Sequence, residues 1–548
     1  MDHQPPLVPN EKAILFFREH NLTILSELRY NLDFFIAGLK NLGLTHVVIS
    51  PGSRNAPIVA GFLRVGGFNL LSAPDERAAA FMALGSAQAT GKACAVVCTS
   101  GTAVLNLYPA ICEAYYQQIP LLAITADRPE IMIDRWDGQT IRQKDIFEKH
   151  IVGSYHFNTD LHLKTAEEEA RQVAIQAWEN AHKGTQGPVH INIPLSEPIY
   201  SGIDSKPFHF ENLPESTDIA QNQSFQIPED ILQSHKVLIL AGQSLPNYEL
   251  QQALNSLGSK LPVLADILSN VHGENTFSGT EKRALYNGIS APEILITTGM
   301  SAVSKALKEW LRNNKPKRHY HISAGTFVAD PFFTQPVHIQ CNPAIFFKEL
   351  NELALNREFD KYKAEWQQFE TETETEEETQ LVFDILNEMH ENDAVHLGNS
   401  MTVRQANSCI NVKGHFYGNR GTSGIDGSIS TACGYAWSHA EQRVVCISGD
   451  IGFLYDKNAF WCNPMPENLK VIVINNGKGS IFDKIEGPGK LESLRPYIQT
   501  PHQLSTEHIA KHFGIAWRSF NLKESNKGVI GQFLKEPGSG ILEIFSAD

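Results

Sequence analysis

The chain has 548 residues, 42 % of them apolar and 20 % charged, with a formal net charge of −15. Such a composition suits a globular protein of roughly three domains with sizeable cores. The acidic balance excludes broad nucleic-acid binding, which needs a basic face, and no stretch approaches the roughly 18 apolar residues of a membrane span.

In chain order, Met1 to Lys12 is polar and Pro-rich. It lacks the basic-then-apolar order of a signal peptide, so the expected setting is the cytoplasm. From about Leu28 to Ser201, apolar runs at His46–Ser50, Ala93–Thr99, Leu121–Thr125 and Val189–Ile193 each end in a Gly, Pro or Ser turn. From about His235 to Leu350, similar runs lie at Val237–Ala241, Ile294–Thr298 and Tyr320–Ile322. From about Leu381 onward they lie at Val444–Ser448, Val471–Ile474 and Gly540–Ile544. Strand-like runs alternating with helix-like stretches predict an α/β protein of three doubly wound parallel sheets. The expected domains are 1–206 (with an N-terminal extension), 207–368 and 369–548. Pro207 to Pro228 reads as a linker, and the Glu/Thr-rich Glu370 to Glu378 as a solvated linker or helix face. The eight cysteines (94, 98, 112, 341, 409, 433, 446 and 462) are scattered, several in apolar runs. Reduced core thiols are expected, not a zinc site.

Two turns in the last stretch carry chemistry. Val444–Ser448 runs into Gly449-Asp450-Ile451, and Val471–Ile474 into Asn475-Asn476-Gly477-Lys478-Gly479. Both lie where open α/β sheets bind ligands, at the carboxyl ends of strands. Asp450, Asn476 and the Lys478 carbonyl offer hard oxygen ligands of the kind magnesium takes, with diphosphate oxygens filling the octahedron.

This pattern resembles the thiamine-diphosphate signature of the pyruvate-decarboxylase-like enzymes, although Ile451 stands where many of them have a third glycine. In the first stretch, Ser72-Ala73-Pro74-Asp75-Glu76-Arg77 precedes an Ala-rich helical run. The family's activating glutamate stands in this setting. The resemblance makes Glu76 the carboxyl that hydrogen-bonds the pyrimidine N1′ and favours the cofactor's imino tautomer.

Further blocks narrow the branch. They are Ser50-Pro51-Gly52-Ser53-Arg54-Asn55-Ala56-Pro57, Asp127-Arg128-Pro129, Gln139-Thr140-Ile141-Arg142-Gln143, Gly398-Asn399-Ser400 with Arg404, and Asn419-Arg420 to Gly427. From about Leu28 to Ile544 they resemble the 2-succinyl-5-enolpyruvyl-6-hydroxy-3-cyclohexene-1-carboxylate synthases of menaquinone biosynthesis. The resemblance implies thiamine diphosphate with magnesium (or manganese) and two substrates, 2-oxoglutarate and isochorismate. It further implies a homodimer or homotetramer with the cofactor between the first and third domains of two subunits. Glu76, Gln139, Ser400 and Arg404 would be catalytic. Ser423, Ile425, Gly449, Asp450, Asn476, Lys478 and Ile481 would join Glu76 around the cofactor. Ser53, Arg54, Arg128, Gln139, Lys305, Ser400, Arg404 and Arg420 would bind substrate. Independently, Arg54, Arg128, Arg404 and Arg420 adjoin turn motifs in an acidic chain, and arginine is the side chain for bidentate carboxylate binding. Their convergence on one pocket for dicarboxylates is the expectation. Another carboligase such as acetolactate synthase is the alternative, but pyruvate's single carboxylate leaves four arginines unexplained. A protein that merely held the cofactor would not require Glu76.

Overall fold

The computed structural model describes residues 31–157, 163–196, 224–286, 288–353, 360–367, 376–484, 491–523 and 528–546. The expected N-terminal extension, the 207–223 part of the first linker and the 370–375 part of the acidic segment lie outside them.

The strands of the first domain are β1 (His46–Ile49), β2 (Asn69–Ser72), β3 (Cys94–Cys98), β4 (Leu121–Asp127), β5 (Gly153–His156) and β6 (Pro188–Pro194). The central domain holds β7 (Val237–Ala241), β8 (Val263–Ala265), β9 (Ile294–Thr298), β10 (Arg318–Ser323) and β11 (Val337–Gln340). The third holds β12 (Ala394–Leu397), β13 (His415–Tyr417), β14 (Val444–Gly449), β15 (Leu469–Asn475), β16 (Ala516–Asn521) and β17 (Gly540–Phe545). The sheets are parallel and ordered β2-β1-β3-β4-β6-β5, β11-β10-β9-β7-β8 and β13-β12-β14-β15-β17-β16. Every apolar run singled out in the sequence is a strand here.

Parallel strands covered by helices on both faces are buried throughout, hence their continuous apolar runs. In β3 the side chains alternate between two cores. Ala95 and Val97 join Phe35 and Trp178 on one face. Cys94, Val96 and Cys98 join a second core on the other. That second core continues into the third domain, reaching Cys446 in β14 and Val471 in β15. Two helices fill it, Glu76–Thr90 and Ser428–Ser438. Alanines at 78, 79, 80, 83 and 87 keep the first helix slim. At the crossing, a β-carbon on Gly85 would collide with the Thr431 carbonyl, and one on Gly434 with that of Met82. First and third domains are thus welded within one chain, backbone against backbone.

All eight cysteines are free thiols, six of them buried. No helix among the described residues is long and apolar enough to cross a membrane.

Candidate active site

At the carboxyl ends of β12, β14 and β15 a cleft opens. Seven of the sequence-predicted residues line it: Ser400, Ile425, Gly449, Asp450, Asn476, Lys478 and Ile481. β14 ends at Gly449, and Asp450 begins a short helix, Asp450–Tyr455. Its carboxylate is buried, only 4 % exposed. One oxygen accepts from the Ile451 N–H (2.7 Å), the other from the Gly477 N–H (2.8 Å), with His502 Nε2 3.3 Å from the latter. Burial pushes the Asp450 carboxyl's pKa up; the backbone N–H groups and His502 oppose that. Asn476 gives its amide N–H to Glu378 Oε1 (3.1 Å), while its oxygen faces the Lys478 N–H at 3.3 Å. The Lys478 ammonium pairs with Asp483 at 2.8 Å, and the Lys478 carbonyl accepts from the Ser480 N–H at 3.0 Å.

These donors fit a magnesium–diphosphate group. Among the described residues no three His, Cys, Asp or Glu side chains assemble into a metal site. One carboxylate and one amide oxygen are too few for an octahedron, so diphosphate oxygens and water would complete it. Space for it exists: no atom lies within 4 Å of a β-carbon placed on Gly449. Ile451, where many relatives of the signature have glycine, is half-buried and lines the same cleft.

Beside the cleft stand Arg404 and Arg420. Arg404 follows from the helix Met401–Ala406 and donates to the Ser400 carbonyl. Arg420, 7 % exposed, donates from Nη1 to Asn399 Oδ1 at 3.1 Å, while its Nε has no hydrogen-bond partner among the described residues. The two guanidinium groups repel one another, and burial lowers the pKa of both. Arg420 is thus a buried cation beside the half-buried Arg404. Ser400 holds φ at 76°, Ser423 at 64° and Gln139 at 54°. Such left-handed backbone costs a non-glycine residue on the order of 1 kcal/mol and clusters at functional sites.

Of the other predicted residues, Ser53, Arg54, Glu76, Arg128 and Gln139 lie in the first domain, and the expected convergence of four arginines is not met within one chain. Arg54 is buried and donates to the Leu195 carbonyl at 2.8 Å. Arg128 donates to the Gly138 carbonyl at 3.0 Å and stands 3.6 Å from Asp137. Ser53 is exposed just before Arg54. The Gln139 carbonyl accepts from Ser100 Oγ at 2.9 Å. Glu76 is half-buried at the start of its helix, which Asp75 caps through the Arg77 and Ala78 N–H groups. Neither Glu76 nor Ser423 lines the cleft. Glu76 opens a helix that meets the third domain at this end: its neighbour Arg77 donates to the Tyr455 carbonyl at 2.8 Å, and Asp75 accepts from Asn458 at 2.7 Å.

Residues 32–147 match the family model described as thiamine pyrophosphate enzyme, N-terminal TPP binding domain. Over 535 residues the chain is 37 % identical to the 2-succinyl-5-enolpyruvyl-6-hydroxy-3-cyclohexene-1-carboxylate synthase of Flavobacterium psychrophilum, covering 92 % of this chain and 94 % of that one. The synthase of Flavobacterium johnsoniae is also 37 % identical, with the same shares covered. That of Cytophaga hutchinsonii is 34 % identical over 92 % and 93 %. The chain belongs to the 2-succinyl-5-enolpyruvyl-6-hydroxy-3-cyclohexene-1-carboxylate synthases. It is accordingly a thiamine-diphosphate-dependent enzyme.

Within this synthase fold, Lys305 does not stand with the arginines. Its side chain is 76 % exposed and lies 3.6 Å from Glu309 one turn on. The lysine of that helix, Lys305–Asn313, that feels Arg404 and Arg420 is Lys308, which donates to Ser301 Oγ at 3.3 Å. Leu307 and Leu311 anchor the helix, so Lys308 follows the buried face and Lys305 the open one. Sequence reading also missed Glu378, which holds Asn476, Gln405 and Ser546. It missed His502 as well. A lone histidine far along the chain carries no local signal, and Glu378 was hidden in a glutamate run.

Proposed function

We propose that this chain decarboxylates 2-oxoglutarate and joins the four-carbon remainder to isochorismate, giving 2-succinyl-5-enolpyruvyl-6-hydroxy-3-cyclohexene-1-carboxylate and carbon dioxide. Bound thiamine diphosphate supplies the electron sink for this chemistry. The observation that carries the reading is the buried Arg420, its Nε without a hydrogen-bond partner among the described residues, next to the half-buried Arg404 and beside a cleft lined with oxygen donors. Both substrates are dicarboxylates, and two paired guanidinium groups match them better than a monocarboxylate such as pyruvate.

Asp450, Asn476 and the Lys478 carbonyl would hold magnesium, and Ile425 and Ile481 the cofactor's apolar parts. Ser400, at its strained turn, would orient the reacting carboxylate. Glu76 would share a proton with the pyrimidine N1′, and it would do so from a second copy of the chain, because it is absent from its own chain's cleft. Ser53, Arg54, Arg128 and Gln139 would arrive with it, so that the four arginines meet across a homodimer or dimer of dimers. Domain limits at 206/207 and 368/369 and a cytoplasmic setting belong to the same reading. The test is to incubate the protein with thiamine diphosphate, magnesium, 2-oxoglutarate and isochorismate and to weigh the product. Release of carbon dioxide from pyruvate in preference to 2-oxoglutarate would overturn it in favour of an acetolactate-type carboligase.

A further inference from the structure

The loop from Gly418 to Gly427 carries Arg420, Ser423 and Ile425, and contains neither helix nor strand. Its backbone polar groups therefore find partners in the turn itself, as the Arg420 N–H does on the Gly418 carbonyl at 2.9 Å, or outside the loop. On one side Asn399 serves the loop's carbonyls, donating to those of Asn419 (2.6 Å) and Gly424 (2.5 Å) while accepting from Arg420. On the other side stands a carboxylate from a different domain. Glu113, 1 % exposed, lies on the first-domain helix Tyr108–Gln117. It accepts from the Gly421 N–H at 2.6 Å, the Thr422 N–H at 2.7 Å and the Thr422 hydroxyl at 2.5 Å, and from Gln117 Nε2 at 2.5 Å. No cation pairs with it among the described residues. A β-carbon on Gly421 would stand 2.8 Å from the Glu113 carbonyl and 3.0 Å from Oε1, so loop and carboxylate are shaped to one another. Gln117 extends the contact to the central domain: Gln243 Nε2 donates to Gln117 Oε1 (3.0 Å) and to the Gly418 carbonyl (2.9 Å). All three domains thus grip one loop.

We propose that Glu113 is the positioning residue of the substrate arginine: its carboxylate pins the two amides next to Arg420 and so fixes that guanidinium against Arg404. A buried carboxylate that collects three donors from one loop is unusual unless the loop's place matters, since an unpaired buried charge is costly and four hydrogen bonds are needed to keep it. Glu113 also places a negative charge near Arg420, which favours its charged form. This inference rests on the reading of Arg420 as a carboxylate binder.

The experiment compares Glu113→Gln, Thr422→Val, Thr422→Ser and Arg420→Ala in the full, cofactor-loaded protein. An amide can accept with one atom only, so Glu113→Gln should raise KM for the dicarboxylates about 10-fold, the loss of one or two charge-assisted bonds. It should leave kcat and thiamine diphosphate affinity within about 3-fold. Thr422→Val, which removes only the hydroxyl, should give a smaller rise of the same kind, and Thr422→Ser should reverse it. If Glu113→Gln does not fold, the Thr422 pair carries the test. An unchanged KM in both Glu113→Gln and Thr422→Val, with KM raised in Arg420→Ala, overturns the positioning role alone. Parallel loss of kcat, KM and cofactor affinity overturns it in favour of general support of the fold. An unchanged KM in Arg420→Ala overturns the reading of the site beneath it.

Discussion

Gly85 of the first domain lies against Thr431 of the third so closely that a side chain at 85 would displace the Thr431 carbonyl. The two helices meet backbone to backbone, and neither flexible side chains nor solvent is there to yield. Gly85→Ala should therefore destabilise the chain by about 1–3 kcal/mol or more, the usual cost of overpacking. Urea denaturation measures this. A stability equal to the parent's would mean that the helices can slide apart freely, and the orientation of Glu76 would no longer be fixed by the weld.

Glu76→Gln should bind thiamine diphosphate and lose most turnover. A carboxamide cannot share the N1′ proton, and loss of a general acid–base contribution typically costs about 10²–10⁴-fold in rate. Near-normal turnover would sink the assignment. Because Glu76 does not line its own chain's cleft, a mixture of Glu76→Gln and Asp450→Ala chains should regain activity in hybrid dimers. Failure of that mixture to recover any activity would speak against a shared site.

The interior strands were legible because burial on both faces forces a continuous apolar run; β3 and β4 are examples, buried at every position. Other strands went unmarked for different reasons. β5, β11 and β16 are edge strands whose exposure alternates or which bury little. β12 lies inside the sheet but carries His396, buried and stacked on Tyr417 with ring centroids 5.0 Å apart, which breaks the apolar signal. At the site, Asp450 and Asn476 could be read because strand ends and glycine turns mark them locally. Glu113, Lys308 and Glu378 could not: each matters through partners that are distant in sequence, such as Thr422 at |i−j| of 309 from Glu113. The arginines were legible as residues but not in their arrangement, which depends on how the domains pack.

Asp450→Ala should weaken magnesium and thiamine diphosphate together, because the ion would bridge protein and diphosphate. Calorimetry with each component alone and with both resolves this. Cofactor affinity unchanged in the presence of magnesium would remove Asp450 from the ligand set.

Asp456 caps the Ser428–Ser438 helix, accepting from the Ile429 and Ser430 N–H groups and the Ser430 hydroxyl. Burial pushes its pKa up from 3.8 to about 6, against the pull of those donors and of Arg77. The folded state thus holds a proton, between about pH 4 and 6, that the unfolded chain has released. Stability from this group is present below that window and falls as pH rises through it, by on the order of 2–3 kcal/mol. Asp456→Asn keeps an acceptor and removes the titration. Its stability relative to the parent should climb between pH 4.5 and 7, as read by urea denaturation. A gap that does not change with pH would show that Asp456 is ionised throughout.

Arg404 and Arg420 are expected to serve substrate carboxylates and not the diphosphate. Neither lines the cleft in which Asp450 and Asn476 stand, and the magnesium would already neutralise the diphosphate. Losing one side of a buried guanidinium–carboxylate pair typically costs about 2–5 kcal/mol, much of it from the stranded partner. Arg404→Ala and Arg420→Ala should raise KM for a dicarboxylate steeply and leave thiamine diphosphate affinity nearly unchanged. Lysine at either position should rescue in part only, because an ammonium lacks the planar fork. Titration of the cofactor and of each substrate against both variants decides it. Equal losses for cofactor and substrates would place these arginines at the diphosphate, and the case for dicarboxylate specificity would lose its main support.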